Sequence, residues 1–285
     1  MPHVREAIAS LADQTYRRFE VVVQDAVSSD GTAEFLSALP FDRLEFVSEP
    51  DGGIGDAFNR AFARCSGSLV TTLDADNLLE PDTIERAVAL ARKHARAAAL
   101  YGAVQLVDAT GDPIERFVPE PFDTGALMRC ELVPPFSASF FSPAVCGVEF
   151  RCDASLETCA DFDLWLRLAE HEIVCTNQLF GRTRLSDRSM TRDARRYEQF
   201  CRDKIAALDN HIARHPEHAR DRSVAVAGIY CWAAESLLAI EGPSLRCKAM
   251  LKRAVNEAPE YERIERLAER FTEAASARST PPAIG

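Results

Sequence analysis

The sequence lacks an excess of basic residues. Its 33 Lys and Arg residues stand against 44 Asp and Glu residues, and the net charge is -11 at pH 7, with a pI of about 5.1. A general nucleic-acid binder, or a protein held on anionic lipids, needs a basic surface. The composition therefore argues against nucleic acid as a partner, and a phosphate-bearing ligand needs a local cation or a metal ion.

Cysteine pairs at C-x-x-C spacing and long apolar runs are also missing. The nine cysteines are scattered, which argues against a disulfide framework or a zinc site and indicates buried thiols in a reducing compartment. The longest apolar run, VAVAGIYCWAA (224–234), is too short to span a bilayer, and no signal-peptide pattern opens the sequence. We expect a cytoplasmic protein with no transmembrane segment; peripheral membrane association stays open.

Helical and strand patterns alternate in the first part of the sequence. Apolar residues at helical spacing occupy 4–14, 28–39, 51–65 and 81–99, and strand-like apolar runs occupy 18–26, 44–50 and 68–74. Such alternation predicts an α/β fold with a mostly parallel sheet.

The composition changes to charged, Ala-rich helix near residue 190. The sequence therefore predicts a domain over 1–190 and a helical C-terminal extension over 191–285 with a frayed tail.

The stretch LVTTLDADNLLEPD (69–82) ends an apolar run in two carboxylates, Asp74 and Asp76. Strand side chains alternate between faces, so the two acids are expected on one side at the end of a strand. Mg²⁺ and Mn²⁺ take oxygen ligands, often one or two carboxylates plus substrate phosphates. The alternative is that Asp76 or Asn77 caps a helix beginning near Glu80.

Acidic or Gly-rich residues follow three of the predicted strands: Asp25, residues 49–53, and Asp74 with Asp76. In parallel α/β sheets, ligands bind beyond the carboxyl ends of the strands, so these loops are expected to meet at one crevice. Structural alternatives remain. Asp25 and Asp30 could cap the next helix, and Gly52 and Gly53 could serve only a tight turn.

Four stretches occur in a familiar order: REAIASLADQTYRRFEVVVQDAVSSDGT, SEPDGGIGDAFNRAF, GSLVTTLDADNLLEP and ADFDLWLRLAEH. Together, over about residues 4–190, they resemble the family 2 glycosyltransferases, inverting enzymes of the GT-A fold that use nucleotide-activated sugars. The resemblance implies a Rossmann-like GT-A sheet flanked by helices and a nucleotide-sugar donor. It also implies a divalent metal, Mn or Mg, and a glycan or lipid-linked acceptor in surface polysaccharide, lipopolysaccharide or glycoprotein synthesis.

The resemblance further implies roles for individual residues. Asp25 looks like the contact to the nucleotide base, Asp51 and Gly53 lie beside the nucleotide, Asp74 lies near the ribose and diphosphate, Asp76 is the metal ligand, and Asp161 is the base toward the acceptor. A carboxylate within hydrogen-bond reach of an acceptor hydroxyl can take its proton. The structural alternative is that Asp161 and Asp163 only favour the start of a helix.

The sequence departs from the family pattern in three places. It opens at the first helix, so a central strand and part of the base pocket are expected to be absent. Ala160 stands where the family often has Glu. Ser186 stands where many relatives have a His that contacts the diphosphate. Arg184, or alternatively Arg182 or Arg188, could substitute, since guanidinium groups bind phosphate in a fork.

Two other functions compete with a metal-dependent transferase. A catalytically impaired nucleotide-binding or scaffold protein of the same fold would explain the missing strand. A nucleotidyltransferase acting on sugar phosphates would need a Gly-rich, basic phosphate loop near its start, and the sequence shows none.

Overall fold

The computed structural model describes residues 2–39, 43–186 and 189–279. The helices are α1 (Pro2–Ala12), α2 (Thr32–Ser37), α3 (Ile54–Arg64), α4 (Thr83–Lys93), α5 (Thr124–Met128), α6 (Pro143–Cys146), α7 (Ala160–Leu168), α8 (Tyr197–Arg214), α9 (Arg222–Glu241), α10 (Leu245–Glu257) and α11 (Glu262–Ser279). The strands are β1 (Val21–Asp25), β2 (Leu44–Ser48), β3 (Val70–Thr71), β4 (Leu78–Leu79), β5 (Ala97–Val107), β6 (Pro113–Phe117), β7 (Ser139–Phe141) and β8 (Glu172–Arg184).

The chain forms two compact units. The first comprises Met1–Phe122 and Pro134–Ser186, and the second comprises Asp123–Val133 and Asp187–Gly285. A boundary near residue 190, as the composition predicts, leaves the segment 123–133 in the first domain. Its carbonyl groups at Arg129 and Cys130 accept hydrogen bonds from Arg263 of α11 at 3.0 and 3.2 Å, which attaches this segment to the helical unit.

The strands of the first unit form two separate sheets. β1 and β2 pair in parallel as a two-stranded sheet. The other six strands follow the order β3-β7-β5-β8-β4, with β6 paired to β5. β5 runs parallel to β8 but antiparallel to β7 and β6. The predicted α/β fold is confirmed, but the six-stranded sheet is mixed rather than mostly parallel.

Two features of the six-stranded sheet differ from the sequence prediction. The helix predicted over 81–99 ends at Lys93, and the Ala run from Ala97 is the start of β5. Alanines buried on both sides suit a central strand as well as a helix, so the local pattern could not separate the two. The long strand β8, EIVCTNQLFGRTR, was not predicted because its exposed and buried positions do not alternate regularly.

The core of the first unit is built on β5. Leu100 and Val104 pack with Phe140 and Phe180 in one cluster. The indole of Trp165 lies 5.8 Å from the Tyr101 ring by centroid distance. This packing fixes α7, the helix that carries Trp165, within the unit.

The second unit is built around α9. Its residues Ala225, Ile229, Ala233 and Leu237, four apart, are fully buried. The apolar run 224–234 lies in this helix. With the preceding turn it forms a helical stretch, Pro216–Glu241, that by length and composition could cross a membrane, but 50% of its most apolar window is buried inside the protein. Such burial is typical of a core helix in a helical bundle.

The prediction of buried thiols is confirmed. All nine cysteines are free, and seven of them are buried. Burial raises the pKa of the Cys146 thiol to about 11 and that of Cys201 to about 12. These thiols stay protonated at neutral pH and are poor metal ligands and nucleophiles.

Candidate functional site

Asp74 and Asp76 lie in the turn between β3 and β4. β3 ends at Thr71, so the alternation of strand side chains does not decide where these acids point. The turn is closed by the amide of Asn77, which donates to the Asp74 carbonyl at 3.0 Å. The Asn77 side chain donates to the Asp74 carboxylate at 2.9 Å. The acids are therefore placed by a turn rather than by a strand.

The helix-capping alternative for this turn is wrong. α4 begins at Thr83 with Asp82 at the capping position. The side chain of Asn77 is buried and is used elsewhere: its amide group donates to Asp74, and its oxygen accepts from the Arg184 amide at 3.0 Å. Asn77 therefore holds the acidic turn in place.

Two acids from different parts of the sequence, Asp76 and Asp161, lie within electrostatic reach of Asp74. The pKa of Asp74 is raised to about 6, first by burial of the carboxylate and then by the negative charges of Asp76 and Asp161. The Asp74 residue as a whole remains accessible to solvent. We call Asp74, Asp76 and Asp161 the acidic cluster.

Arg184 lies behind the acidic turn, which corrects its expected role as a diphosphate ligand. Its side chain is only 3% exposed and forms an ion pair with Glu6 at 2.5 Å. It also donates to the carbonyl oxygens of Asp76 at 3.3 Å and Ala109 at 3.0 Å. A buried guanidinium with these acceptors supports the turn and cannot reach a ligand without breaking them.

The sequence offers two other candidate cations. Arg182 forms an ion pair with Glu80 at 2.8 Å, and Arg188 lies outside the described residues.

Asp25 ends β1 and is buried. Its carboxylate accepts from the Ser48 hydroxyl at 2.6 Å and the Ser28 amide at 3.1 Å. Burial raises the pKa of Asp25, but the hydrogen bonds from Ser28, Ser48 and Val27 outweigh it, so the net pKa is lowered. The helix that follows has Gly31 at its capping position, so the capping alternative for Asp25 is wrong.

The loop after β2 is joined to Asp25 and has a defined shape. The amide of Glu49 donates to the Asp25 carbonyl at 3.0 Å. Asp51 accepts from the Gly53 amide at 3.0 Å. Gly53 has φ of 111°, a backbone conformation that favours glycine. Gly53 therefore serves a tight turn, as the structural alternative predicts. Asp25 and Asp51 belong to one region at the ends of β1 and β2.

Helix α3 links this region to the segment that precedes α7. The side chain of Asn59 donates to the Cys152 carbonyl at 2.9 Å and accepts from the Cys152 amide at 2.8 Å. A Cβ on Gly55 would come within 3.3 Å of Ala154, so the helix and this segment pack closely. Both contacts hold the start of α7 in a fixed position relative to α3.

Asp161 and Asp163 both lie in the first turn of α7. Asp163 is 2% exposed and forms an ion pair with Arg167 at 2.8 Å. Asp161 is partly exposed. The apolar residues of the helix, including Phe162, are fully buried, so packing holds α7 in place within the first unit. Of the two acids, only Asp161 belongs to the acidic cluster.

The site also depends on residues that sequence patterns did not indicate. The Ser48 hydroxyl donates a hydrogen bond to Asp25, and Asn59 bonds α3 to the Cys152 backbone. Arg167 forms an ion pair with Asp163. Each acts through a partner that is distant in sequence or one helical turn away, so no local motif marks it.

The acidic cluster fits a divalent cation only in part. Across the described residues, no group of three or more His, Cys, Asp or Glu side chains is arranged to hold a metal ion. Mg²⁺ and Mn²⁺ often bind through one or two carboxylates, with phosphate oxygens and water as the other ligands. The mutual repulsion of Asp74 and Asp76 matches such an oxygen donor set.

Comparison with known proteins gives consistent results. An uncharacterized glycosyltransferase of Rickettsia bellii is 27% identical over 174 residues, covering 58% of this chain and 25% of that protein. The chondroitin synthase of Escherichia coli is 27% identical over 170 residues, covering 59% of this chain and 25% of the synthase. The chain thus spans about a quarter of the length of these relatives.

A solved structure shares the fold. The mannosyltransferase PcManGT from Pyrobaculum calidifontis, in complex with GDP-Man and Mn²⁺, has a TM-score of 0.57 and 19% identity. The match covers 97% of this chain and 83% of that structure.

The sequence model of the family described as Glycosyl transferase family 2 matches residues 2–133. This range includes Asp25, Asp51, Gly53, Asp74 and Asp76 but not Asp161. The family match, the relatives and the shared fold agree with the four ordered motifs: residues 2–133 match the sequence model of glycosyltransferase family 2, and the chain is similar to glycosyltransferases.

Proposed function

We propose that this protein transfers a sugar from a nucleotide-sugar donor to an acceptor hydroxyl, with inversion at the anomeric carbon. One observation carries the proposal. The acidic turn and the start of α7 place Asp76 and Asp161 within electrostatic reach of Asp74. A metal-assisted transfer needs carboxylates beside the leaving diphosphate and a base beside the acceptor, and the acidic cluster contains both types of group.

The donor end of the site is assigned to the acidic turn. Asp76, with Asp74 beside it, would hold Mn²⁺ or Mg²⁺ together with phosphate oxygens of the donor. A bound ion of this kind stabilises the negative charge that grows on the leaving nucleoside diphosphate. The similarity to a mannosyltransferase that binds GDP-Man and Mn²⁺ supports this assignment. Asn77 and Arg184 keep the turn in position.

The nucleotide is assigned to the ends of β1 and β2. Asp25 remains ionised in its buried position because its hydrogen bonds lower its pKa, so it can accept a hydrogen bond from a base N–H. Asp51 and Gly53 shape the adjacent loop.

The acceptor end is assigned to Asp161. General-base catalysis requires a carboxylate held within about 3 Å of the proton that it removes. The buried apolar side chains of α7 fix the helix, and Asp161 has no ion-paired Arg comparable to that of Asp163 among the described ion pairs. One base and no covalent intermediate give inversion.

The acceptor is proposed to be a growing glycan or a lipid-linked glycan. The similarity to a chondroitin synthase supports polysaccharide synthesis as the setting. We propose a cytoplasmic site of action, where nucleotide sugars serve as donors and the free cysteines stay reduced.

The proposal is tested with a panel of UDP- and GDP-sugars and Mn²⁺, with products identified by mass spectrometry. We expect release of nucleoside diphosphate from one donor, lost in Asp76→Ala and retained in Asp112→Asn, an exposed acid of the β5–β6 turn. Loss in both variants would show that the assay does not report on the acidic cluster.

A second candidate is favoured by the division of the sheet. β1 and β2 are separate from the other strands, which leaves the nucleotide region on a small sheet. The second candidate is therefore a nucleotide-binding protein without transferase activity. Calorimetric binding of a nucleotide with no turnover of any donor would favour this candidate and contradict the first.

A further inference from the structure

The loop between β2 and α3, residues 49–53, carries Asp51 and Gly53, which the proposed function assigns to the nucleotide. Two side chains of α3, Asp56 and Arg60, contact this loop. They are four residues apart in the sequence and therefore lie on the same face of the helix. We call this pair the loop clamp.

Arg60 joins the helix to two positions of the loop. Its Nη1 donates to the Glu49 carboxylate at 2.9 Å and to the Pro50 carbonyl at 3.1 Å. Its Nη2 pairs with Asp56 at 2.7 Å. The pKa of Arg60 is raised, first by the hydrogen bond to Asp56 and then by the one to Glu49. A planar guanidinium holds its donors in a fixed fork, so one side chain sets the distance between the loop and the helix.

Asp56 adds a third attachment. Its Oδ2 accepts from the Gly52 amide at 2.8 Å, and the same oxygen pairs with Arg60. The pKa of Asp56 is lowered, first by the Gly52 amide and then by Arg60, so the carboxylate stays ionised at neutral pH. An acid near the start of a helix often bonds back to the backbone before it, and capping alone would explain Asp56. Capping would not explain Arg60, which lies in the second turn of α3.

The loop clamp also sets the charge beside the nucleotide region. Arg60 compensates the carboxylates of Glu49 and Asp56. Asp51 instead accepts from the Gly53 amide of its own loop at 3.0 Å. Without Arg60, residues 49–60 would carry three carboxylates and no cation, and like charges of this kind oppose the binding of an anionic diphosphate.

We propose that Arg60, together with Asp56, is a positioning residue that holds the loop 49–53 in the form that binds the nucleotide of the donor. This proposal rests on the proposed function, because it assumes a nucleotide at the ends of β1 and β2. The Arg60, Glu49 and Asp56 side chains are 36%, 45% and 27% exposed. Exposed ion pairs contribute little to global stability, so the loss of Arg60 should affect binding rather than folding.

The test compares Arg60→Gln and Arg60→Lys with the matched control Arg222→Gln. Arg222 is 42% exposed and forms a forked ion pair with Asp209, at 2.6 and 2.9 Å, within the second unit. The measurements are the Kd of UDP and of GDP with Mn²⁺ by calorimetry, kcat and KM for the sugar donor, and the melting temperature.

We expect Arg60→Gln to raise the nucleotide Kd and the donor KM about tenfold, because a loop that adopts its binding form about one-tenth of the time loses about that factor in affinity. The kcat at saturating donor should stay within about twofold, since only uniform binding is lost. Arg60→Lys keeps the charge but not the fork, so it should restore only part of the affinity. Arg222→Gln should change neither constant, and its melting temperature should be similar to that of Arg60→Gln.

Amide hydrogen exchange without ligand tests the loop clamp independently of any activity. Exchange at Gly52 should speed up about tenfold in Arg60→Gln, because the loop then opens more often, and should not change in Arg222→Gln. Unchanged exchange at Gly52 in Arg60→Gln would show that the loop keeps its form without Arg60, and would overturn the proposal.

The binding data have three further outcomes. An equal nucleotide Kd in the wild type and Arg60→Gln would overturn the proposal and leave the transferase function intact. A lower kcat at unchanged KM would also overturn it, because Arg60 would then act on the chemical step. A wild type that binds no nucleotide and turns over no donor would refute the proposed function, and this proposal with it, whatever the exchange at Gly52. If Arg60→Gln does not fold, Arg60→Lys carries the test, and an unchanged Kd in that variant overturns the proposal.

Discussion

Asp161 and Asp163, two residues apart on α7, should respond in opposite ways to the same substitution. Asp161→Asn removes basicity but keeps side-chain size and the ability to accept a hydrogen bond. Turnover should fall about 100-fold or more, the usual contribution of a positioned base. That factor corresponds to about 2.7 kcal/mol of transition-state stabilisation. Affinity for the donor nucleotide and thermal stability should change little, because Asp161 is partly exposed.

Asp163→Asn should instead act on stability. The Asp163 and Arg167 side chains are 3% and 10% exposed, and their ion pair spans 2.8 Å. Removing this charge leaves the buried Arg167 guanidinium with only the more distant Glu149 carboxylate, at 3.8 Å, and breaking a buried pair costs about 3 kcal/mol. A loss of this size lowers the melting temperature of a protein of this size by roughly 6–12 °C. The fraction that remains folded should turn over donor at a rate close to that of the wild type.

The assay for this pair measures three quantities: initial rates at saturating donor, nucleotide affinity by calorimetry, and the melting temperature. Asp112→Asn is the control for loss of a surface charge. Wild-type turnover in Asp161→Asn together with slow turnover in Asp163→Asn would show that the base is Asp163 and that its assignment to Asp161 is wrong. Full activity in both variants would place the base elsewhere.

Three further predictions concern the acidic turn and the loop after β1. Removing divalent ions with EDTA should weaken nucleotide binding at least tenfold in the wild type and not at all in Asp76→Ala; unchanged wild-type affinity would contradict the metal role of Asp76. The pKa of Asp74, about 6, lies above its ordinary value, so this group destabilises the fold as pH rises through 6. Asp74→Asn should therefore raise the free energy of unfolding in EDTA more at pH 8 than at pH 4, and an equal effect at both would refute the shift. Val27 has φ of 61° and is 56% exposed, so Val27→Gly should stabilise the protein by about 1 kcal/mol in denaturant unfolding. The exposed Val148, with an ordinary φ, is the control: Val148→Gly should give no stabilisation.

The sequence by itself determined the order of elements from α1 to β3, the helix α4, and the acidic residues that follow the strands. Asp25 ends β1, and Asp74 and Asp76 follow β3, as local patterns predicted. Periodicity succeeds for these elements because each is either amphipathic or a short continuous apolar run. The four ordered motifs also indicated the family whose sequence model matches residues 2–133.

Only the tertiary structure decided which side chains are available for chemistry. Arg184 and Asp163 are as polar as Asp76 and Asp161 in the sequence. Their burial and ion pairs become known only once α1 and the Arg167 side chain are in place. The pKa of Asp74 likewise depends on Asp161, a residue far away in the sequence.

The pairing of strands was a tertiary outcome as well. β8 is irregular in sequence, yet it becomes a central strand because β5 and β4 pair with its two edges. An apolar cavity lined by residues 21–24 and 69–73 likewise exists only because β1 and β3 come to lie on opposite sides of it. Hydrogen bonds and burial between distant segments determine these features, and no window of neighbouring residues contains that information.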